Sequence, residues 1–278
     1  MGRLAGKVAL VTGAGRPGGL GQAIALRLAA EGAAILLHDR GTVAGDIAPA
    51  HGIGLSSELE QTADMIRTQT GAFVETATGD LMDEAAIEAI VATAERSFGT
   101  LDILVNNAGI GYLFGPLTEM DSTHLDAVLG VNLRAPMLLS KHAARLMIWG
   151  AKGGRIVNIA SQAGKSGFAF ASAYTASKHG LIGLTRAAAM ELAPHGITVN
   201  AVCPNHVTTG LGAWQNDFMS KARGETLDEY MAGMKARIPL GRPGLPQDTA
   251  GAVAFLCSDD AAYITAEAIN VSGGEEYH

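Results

Sequence analysis

A chain of 278 residues, 48% of them hydrophobic, can bury one large core, and a single α/β domain reaches this length. A net charge of −7 with no basic run argues against a nucleic-acid surface, and no apolar run approaches membrane-spanning length. Cys203 and Cys257 are too few for a disulfide framework and lack metal-ligand spacing, and the start, MGRLAGKVAL, has no long apolar core after a charged region. The expected setting is therefore a reducing compartment, the cytoplasm.

Strand-like runs near 7–12, 34–38, 72–78, 102–105, 154–160, 197–203 and 267–271 alternate with helical stretches. This alternation predicts one domain over 1–278, an α/β doubly wound parallel sheet of about seven strands with helices on both faces, binding ligands beyond the carboxyl ends of the strands. The first run, KVALVT, leads into the turn Thr12-Gly13-Ala14-Gly15-Arg16-Pro17-Gly18-Gly19-Leu20-Gly21 and then a helix. Glycines let the backbone approach a pyrophosphate, and a helix N-terminus directs N–H groups at it. The second run ends in Asp39, roughly 20 residues beyond the loop, where a carboxylate accepts the adenosine ribose hydroxyls and repels a 2′-phosphate. A glycine-rich insertion comes next, at 41–57.

Helical stretches at 121–148 and 173–194 carry apolar residues over more than one face: Leu138, Leu139, Ala143, Leu146 and Met147 in the first, Leu181, Leu184, Ala188 and Leu192 in the second. Such a helix generally has a second partner. Between these stretches the fifth run ends at Ser161, thirteen positions before Tyr174, and Lys178 lies four beyond the tyrosine. Tyrosine and lysine at that spacing share a helix face. An ammonium at about 4 Å is worth roughly 4 kcal/mol at an effective dielectric of about 20, up to about three pKa units on a phenol. Tyr174 is thus expected to exchange protons near neutral pH. The segment 205–238, with Trp214, Phe218, Met219, Tyr230, Met231 and Met234, suits an apolar cover, with ordinary packing or a subunit contact as the competing reading.

From about Leu4 to Gly274 the chain resembles the short-chain dehydrogenase/reductase family. The resemblance rests on the glycine loop, Asp80-Leu81, Asn106-Asn107-Ala108-Gly109, Asn132 in VNLRAP, Ser161, YxxxK, the Pro204 turn followed by Val207 and Thr209, and the ending PLGRPGLPQDTAGAVAFLCSDDAAYITAEAINVSGG. It implies an NAD(P)-dependent oxidoreductase that interconverts a secondary alcohol and a ketone, assembled as a homotetramer or, failing that, a dimer. In that reading Tyr174 exchanges the hydroxyl proton, Ser161 binds the same oxygen, Lys178 tunes the tyrosine and holds the ribose, and Asn132 keeps a water linking Lys178 to solvent. The resemblance further implies cofactor contacts from Gly13, Gly15, Arg16, Gly19, Leu20, Gly21, Asp39, Arg40, Asp80, Leu81, Asn107, Ala108, Gly109, Tyr174, Lys178, Pro204, Val207 and Thr209. No metal is expected, and the eight histidines form no HExxH pattern.

Three features depart from the family pattern. Two extra residues separate Gly13 from the Gly19-Leu20-Gly21 end of the loop, placing Arg16 and Pro17 inside it. Arg40 is next to Asp39, and its guanidinium can offset repulsion of a 2′-phosphate, so NAD is favoured over NADP without NADP being excluded. The usual Pro-Gly after the sixth strand is Pro204-Asn205, with His206 next. Ser161, Gln162, Lys165, Phe168, His206 and Trp214 are the candidate substrate contacts, a mixture suited to a small polyhydroxylated or anionic molecule. Two alternatives use the same fold: a lyase or epimerase without net redox, and a non-catalytic dinucleotide sensor.

Overall fold

β1 (Val8–Thr12) is buried along its whole length, as a central strand covered on both faces must be. The computed structural model describes residues 2–41, 55–111 and 115–278, apart from the side chain of Leu211. All seven expected strands form: β2 (Ala34–Asp39), β3 (Val74–Thr78), β4 (Ile103–Asn106), β5 (Gly154–Ile159), β6 (Ile197–Pro204) and β7 (Ala268–Val271) join β1 in one sheet of order β3-β2-β1-β4-β5-β6-β7. Every neighbouring pair is parallel. The strand order reverses between β1 and β4, so their carboxyl ends open a crevice there.

Helices cover both faces. On one, α1 (Leu20–Ala30) buries Gly21, Ile24, Ala25, Leu28 and Ala29, a stripe at helical period. It packs with α2 (Ser56–Thr70) and α9 (Pro246–Cys257) over Val11, Ile35, Leu37 and Val105. On the other face α3 (Glu84–Phe98) and α5 (Ala135–Gly150) cover Leu10, Leu36, Leu104 and Ile156. Most of the insertion at 41–57 lies outside the described residues; Gly41 and Leu55 flank it as a parallel bridge, and α2 begins at Ser56.

The stretch expected as one helix over 121–148 is α4 (Ser122–Leu129), a π turn over Gly130–Arg134, and α5. Asp121 caps α4, its Oδ1 accepting from the N–H groups of Thr123 and His124. A π turn adds one residue to the coil and so rotates α5 relative to α4. Within this turn Asn132 is fully buried.

The apolar residues singled out on α5 and on α6 (Ser172–Leu192) do not form a free second face. Leu139, Ala143, Met147 and Leu181 are buried in the chain's own core, and Leu138, Leu146, Leu184, Ala188 and Leu192 are partly buried against it. Exposed instead are Met137, Ile148 and Trp149 on α5 and Met190 on α6. In the 205–238 segment, α7 (Gly210–Arg223) and α8 (Leu227–Arg237) close on a small core of their own, Tyr230, Met234 and Ile238 with Met219 and Met231, so these side chains pack rather than cover.

Candidate active site

At the crevice, backbone from β1 meets backbone from β4. Gly13 has φ +66°, and a Cβ there would lie 2.7 Å from the Ala108 Cα. A Cβ on Gly21 would come within 2.3 Å of the Gly13 carbonyl oxygen, so helix α1 starts hard against the loop only because that position is glycine. Thr12, which sequence reasoning left out, ties the two turns: its Oγ1 accepts from the N–H groups of Asn107 and Ala108, each at 3.1 Å. Asn107 returns its Nδ2 to the carbonyls of Thr12 and Gly13. The result is a cradle in which Gly13 and Gly21 admit no side chain, beneath the N-terminus of α1, and it fits a dinucleotide pyrophosphate.

Asp39 ends β2 at the rim of this cradle. Its Oδ2 accepts from the Gly15 N–H at 2.8 Å and its Oδ1 from the Arg40 N–H at 2.8 Å, leaving one further lone pair on each oxygen. Gly15 therefore supports Asp39 and does not line the cleft. The Arg40 guanidinium lies 3.0 Å from the Asp80 carboxylate. Arg16 lines the cleft; burial lowers its pKa, partly offset by Asp39 and Glu58, and its Nη1 sits 3.3 Å from where a Cβ on Gly210 would be, at the start of α7.

The proton-transfer set lies at the other end of the cleft. Ser161 comes just after β5; its hydroxyl accepts from the Ala163 N–H and lies near enough to the Tyr174 phenol to lower its pKa. One helical turn on from Tyr174, the Lys178 Nζ donates to the Ile159 carbonyl at 2.8 Å and stands 5.7 Å from the tyrosine ring centroid. Asn132 accepts from the Ile110 N–H and donates to the Ile110 carbonyl and to Ser177 Oγ, so its amide braces the turn after β4. A Cβ on Gly109 would be 3.3 Å from Asn132 Oδ1 and 3.7 Å from Lys178 Nζ.

The electrostatics correct one expectation. Burial raises the Tyr174 pKa above its ordinary value, the nearby Ser161 hydroxyl pulls it back in part, and Lys178 is not among the causes. Burial instead acts on the lysine, lowering it to about 8. At neutral pH the pair is a protonated phenol beside an ammonium close to its own titration.

Cradle and proton-transfer set share one cavity of about 590 Å³. Gly13, Arg16, Gly19, Leu20, Gly21, Asp39, Arg40, Asp80, Leu81, Asn107, Ala108, Gly109, Pro204, Val207 and Thr209 line it, as do Ser161, Gln162, Phe168, Tyr174, Lys178 and His206. Two candidates do not. Lys165 donates to the His278 carbonyl at 2.7 Å, and Trp214 stacks on Phe218, ring centroids 5.6 Å apart. Thr123, Asp126, Asn205, Gln215 and Asn216 line the cavity. Asn205 was legible from its place in the turn after Pro204, opposite the loop that follows Ser161. The others carry no motif, and only the docking of α4 and α7 beside the cleft reveals them.

The family model described as Enoyl-(Acyl carrier protein) reductase matches residues 13–276. The chain belongs to the short-chain dehydrogenase/reductase family. Among its relatives, a galactitol 2-dehydrogenase of Agrobacterium fabrum is 36% identical over 272 residues, 98% of each chain. This short-chain dehydrogenase/reductase superposes on the crystal structure of carveol dehydrogenase from Mycobacterium avium in complex with NAD with a TM-score of 0.92, 32% identity and 99% of each chain covered. Against an actinorhodin polyketide ketoreductase with NADPH the TM-score is 0.87, with 36% identity and 98% of each chain covered.

Proposed function

We propose that the chain is an NAD-dependent oxidoreductase interconverting a secondary alcohol and a ketone on a small, neutral, polyhydroxylated substrate. The observation that carries the reading is the Ser161–Tyr174–Lys178 constellation opening into the same cavity as the glycine cradle and Asp39. A bound nicotinamide supplies the hydride acceptor or donor. The chain's own residues do the rest: the cradle holds the pyrophosphate, Ser161 and Tyr174 bind the reacting oxygen, Tyr174 passes its proton, and Lys178 balances the charge left on the phenol. Asn132 keeps the Gly109–Ile110 turn against Lys178. The relative named for galactitol agrees with a polyol. So does the wall beside Ser161, where Gln162 and Asn205 offer neutral amides and Lys165, the cation that would have suited an anion, is turned to the His278 carbonyl.

NAD is favoured by the remaining lone pairs of Asp39 and by the Arg40–Asp80 pair. Of the two solved relatives above one carries NAD and the other NADPH, so the reading rests on the chain's own residues. Thermal shift with NAD and NADP, followed by initial rates on a polyol panel, is the test, since a ligand that binds only the folded state raises its stability. Asp39→Ser is expected to erode the NAD preference on the order of 10–100-fold in kcat/KM, the worth of a charge-assisted ribose hydrogen bond. A wild-type enzyme that prefers NADP contradicts the assignment.

For assembly we propose a homotetramer, or a homodimer, with Met137 and Trp149 of α5 and Met190 of α6 as apolar surface available to a second copy. Light scattering at micromolar concentration is expected to give a multiple of the 28.6 kDa chain mass, and a mass near that of one chain refutes it.

A further inference from the structure

The turn after β6 carries two side chains into the cavity wall, Asn205 and His206, and both meet one carboxylate from a distant part of the chain. Glu275, four residues beyond β7, accepts from Asn205 Nδ2 and, at 3.3 Å, from Arg237 Nε at the end of α8. The same carboxylate lies 3.7 Å from His206 Nε2. Its neighbour Glu276 reaches the facing wall, accepting from Ser166 Oγ and, at 3.4 Å, from Gln162 Nε2. Two consecutive acids thus tie down the loop after Ser161 and the turn beyond Pro204. Glu275 and His206 are each about one-seventh exposed, at 14%. A carboxylate this enclosed needs compensation, which Asn205 and Arg237 provide, and it faces the His206 imidazole from just beyond hydrogen-bond distance.

We infer that His206 is a substrate-recognition side chain and Glu275 its positioning residue, the imidazole binding a hydroxyl next to the carbinol carbon and so selecting vicinal diols and polyols over simple secondary alcohols. With Nε2 directed at Glu275, Nδ1 is the ring atom left for substrate. This rests on the oxidoreductase reading above, which supplies the reacting oxygen at Ser161 and Tyr174. The groups facing the ring are Glu275 from the segment after β7, Arg237 from α8 and Arg223 from α7. Burial lowers the His206 pKa, Glu275 raises it, and the two arginines lower it further, so the ring is neutral at pH 7 with an acceptor available to a hydroxyl.

The experiment uses the full chain with NAD and compares butane-2,3-diol with butan-2-ol, reading the ratio of their kcat/KM values. The Tyr174 and Lys178 titrations are common to both alcohols and cancel in that ratio. Wild type is expected to favour the diol, and H206A to lower the ratio roughly tenfold or more, since a hydroxyl is left unpaired in the closed site. H206N, which keeps an acceptor near the Nδ1 position, is expected to recover part of it. E275Q is expected to act on the diol KM more than on kcat. It should also move the acid limb of the ratio's pH profile to lower pH, because it removes the one group that raises the imidazole pKa while Arg237 and Arg223 remain. A purely structural role for Glu275 lowers both alcohols together and leaves that limb in place, which overturns the assignment. A ratio unchanged in H206A and E275Q, in enzymes that still turn over, overturns the inference and leaves the oxidoreductase reading standing. A wild type that binds NAD yet oxidises neither alcohol overturns both.

Discussion

Tyr174→Phe is expected to lower kcat by about 10³-fold while leaving NAD affinity unchanged. The substitution removes only the phenolic oxygen, and general acid–base catalysis contributes roughly 10²–10⁴-fold. The ring remains to fill its place in the cavity wall, and the cradle of Thr12, Gly13, Asn107 and Ala108 at the far end of the cleft does not depend on it. Steady-state rates together with nucleotide titration check both halves. Because burial keeps the phenol protonated, the resting enzyme is set to donate a proton to a ketone. Alcohol oxidation requires the phenol to lose one, so the oxidation rate is expected to rise with pH more steeply than the reduction rate.

Lys178→Met is expected to abolish turnover and, without nucleotide, to stabilise the fold. The Lys178 side chain is buried, and its pKa falls from 10.5 to about 8, a penalty on the charged form of about 3 kcal/mol. The lost hydrogen bond to the Ile159 carbonyl returns about 1 kcal/mol of that, so a gain of about 2 kcal/mol remains at pH 7. The sign comes from proton counts. Between pH 8 and pH 10.5 the unfolded chain binds more protons at Lys178 than the folded one, so this group makes wild type more stable as pH rises through that window. The advantage of the methionine variant is therefore full below pH 8, shrinks as pH rises through that window and reverses before pH 10.5, where only the lost hydrogen bond remains. Denaturant melts of both proteins across this range check it; a variant less stable than wild type at pH 7 means that the ammonium is better compensated than its surroundings indicate.

Much of this was legible in the sequence because the relevant physics is local. Central parallel strands are covered on both faces, so they read as unbroken apolar runs, and all seven fell where expected. Gly13 and Gly21 were legible because close backbone approach admits nothing larger. The features that were not legible depend on contacts between distant segments or on burial. The direction of Lys165 is set by the backbone oxygen of the distant His278, and that of Trp214 by Phe218 one helical turn away. The π turn at Gly130–Arg134 leaves no pattern, since its residues are helical by any periodicity. The Tyr174 pKa was misjudged because a spacing gives the nearness of a cation but not the desolvation of the phenol, and desolvation wins. Arg40 was weighed as a phosphate partner, and only the fold shows Asp80 beside it.

The central claim is that this cavity couples an alcohol to a nicotinamide through Tyr174. The most direct test counts NADH formed per carbonyl product when the purified chain is given NAD and a vicinal polyol, using the near-ultraviolet absorbance of the reduced nicotinamide against product quantified separately. The account predicts equal amounts with wild type, and with Tyr174→Phe both formed about 10³-fold more slowly. Product without NADH places the chain among lyases or epimerases of the same fold and contradicts the account.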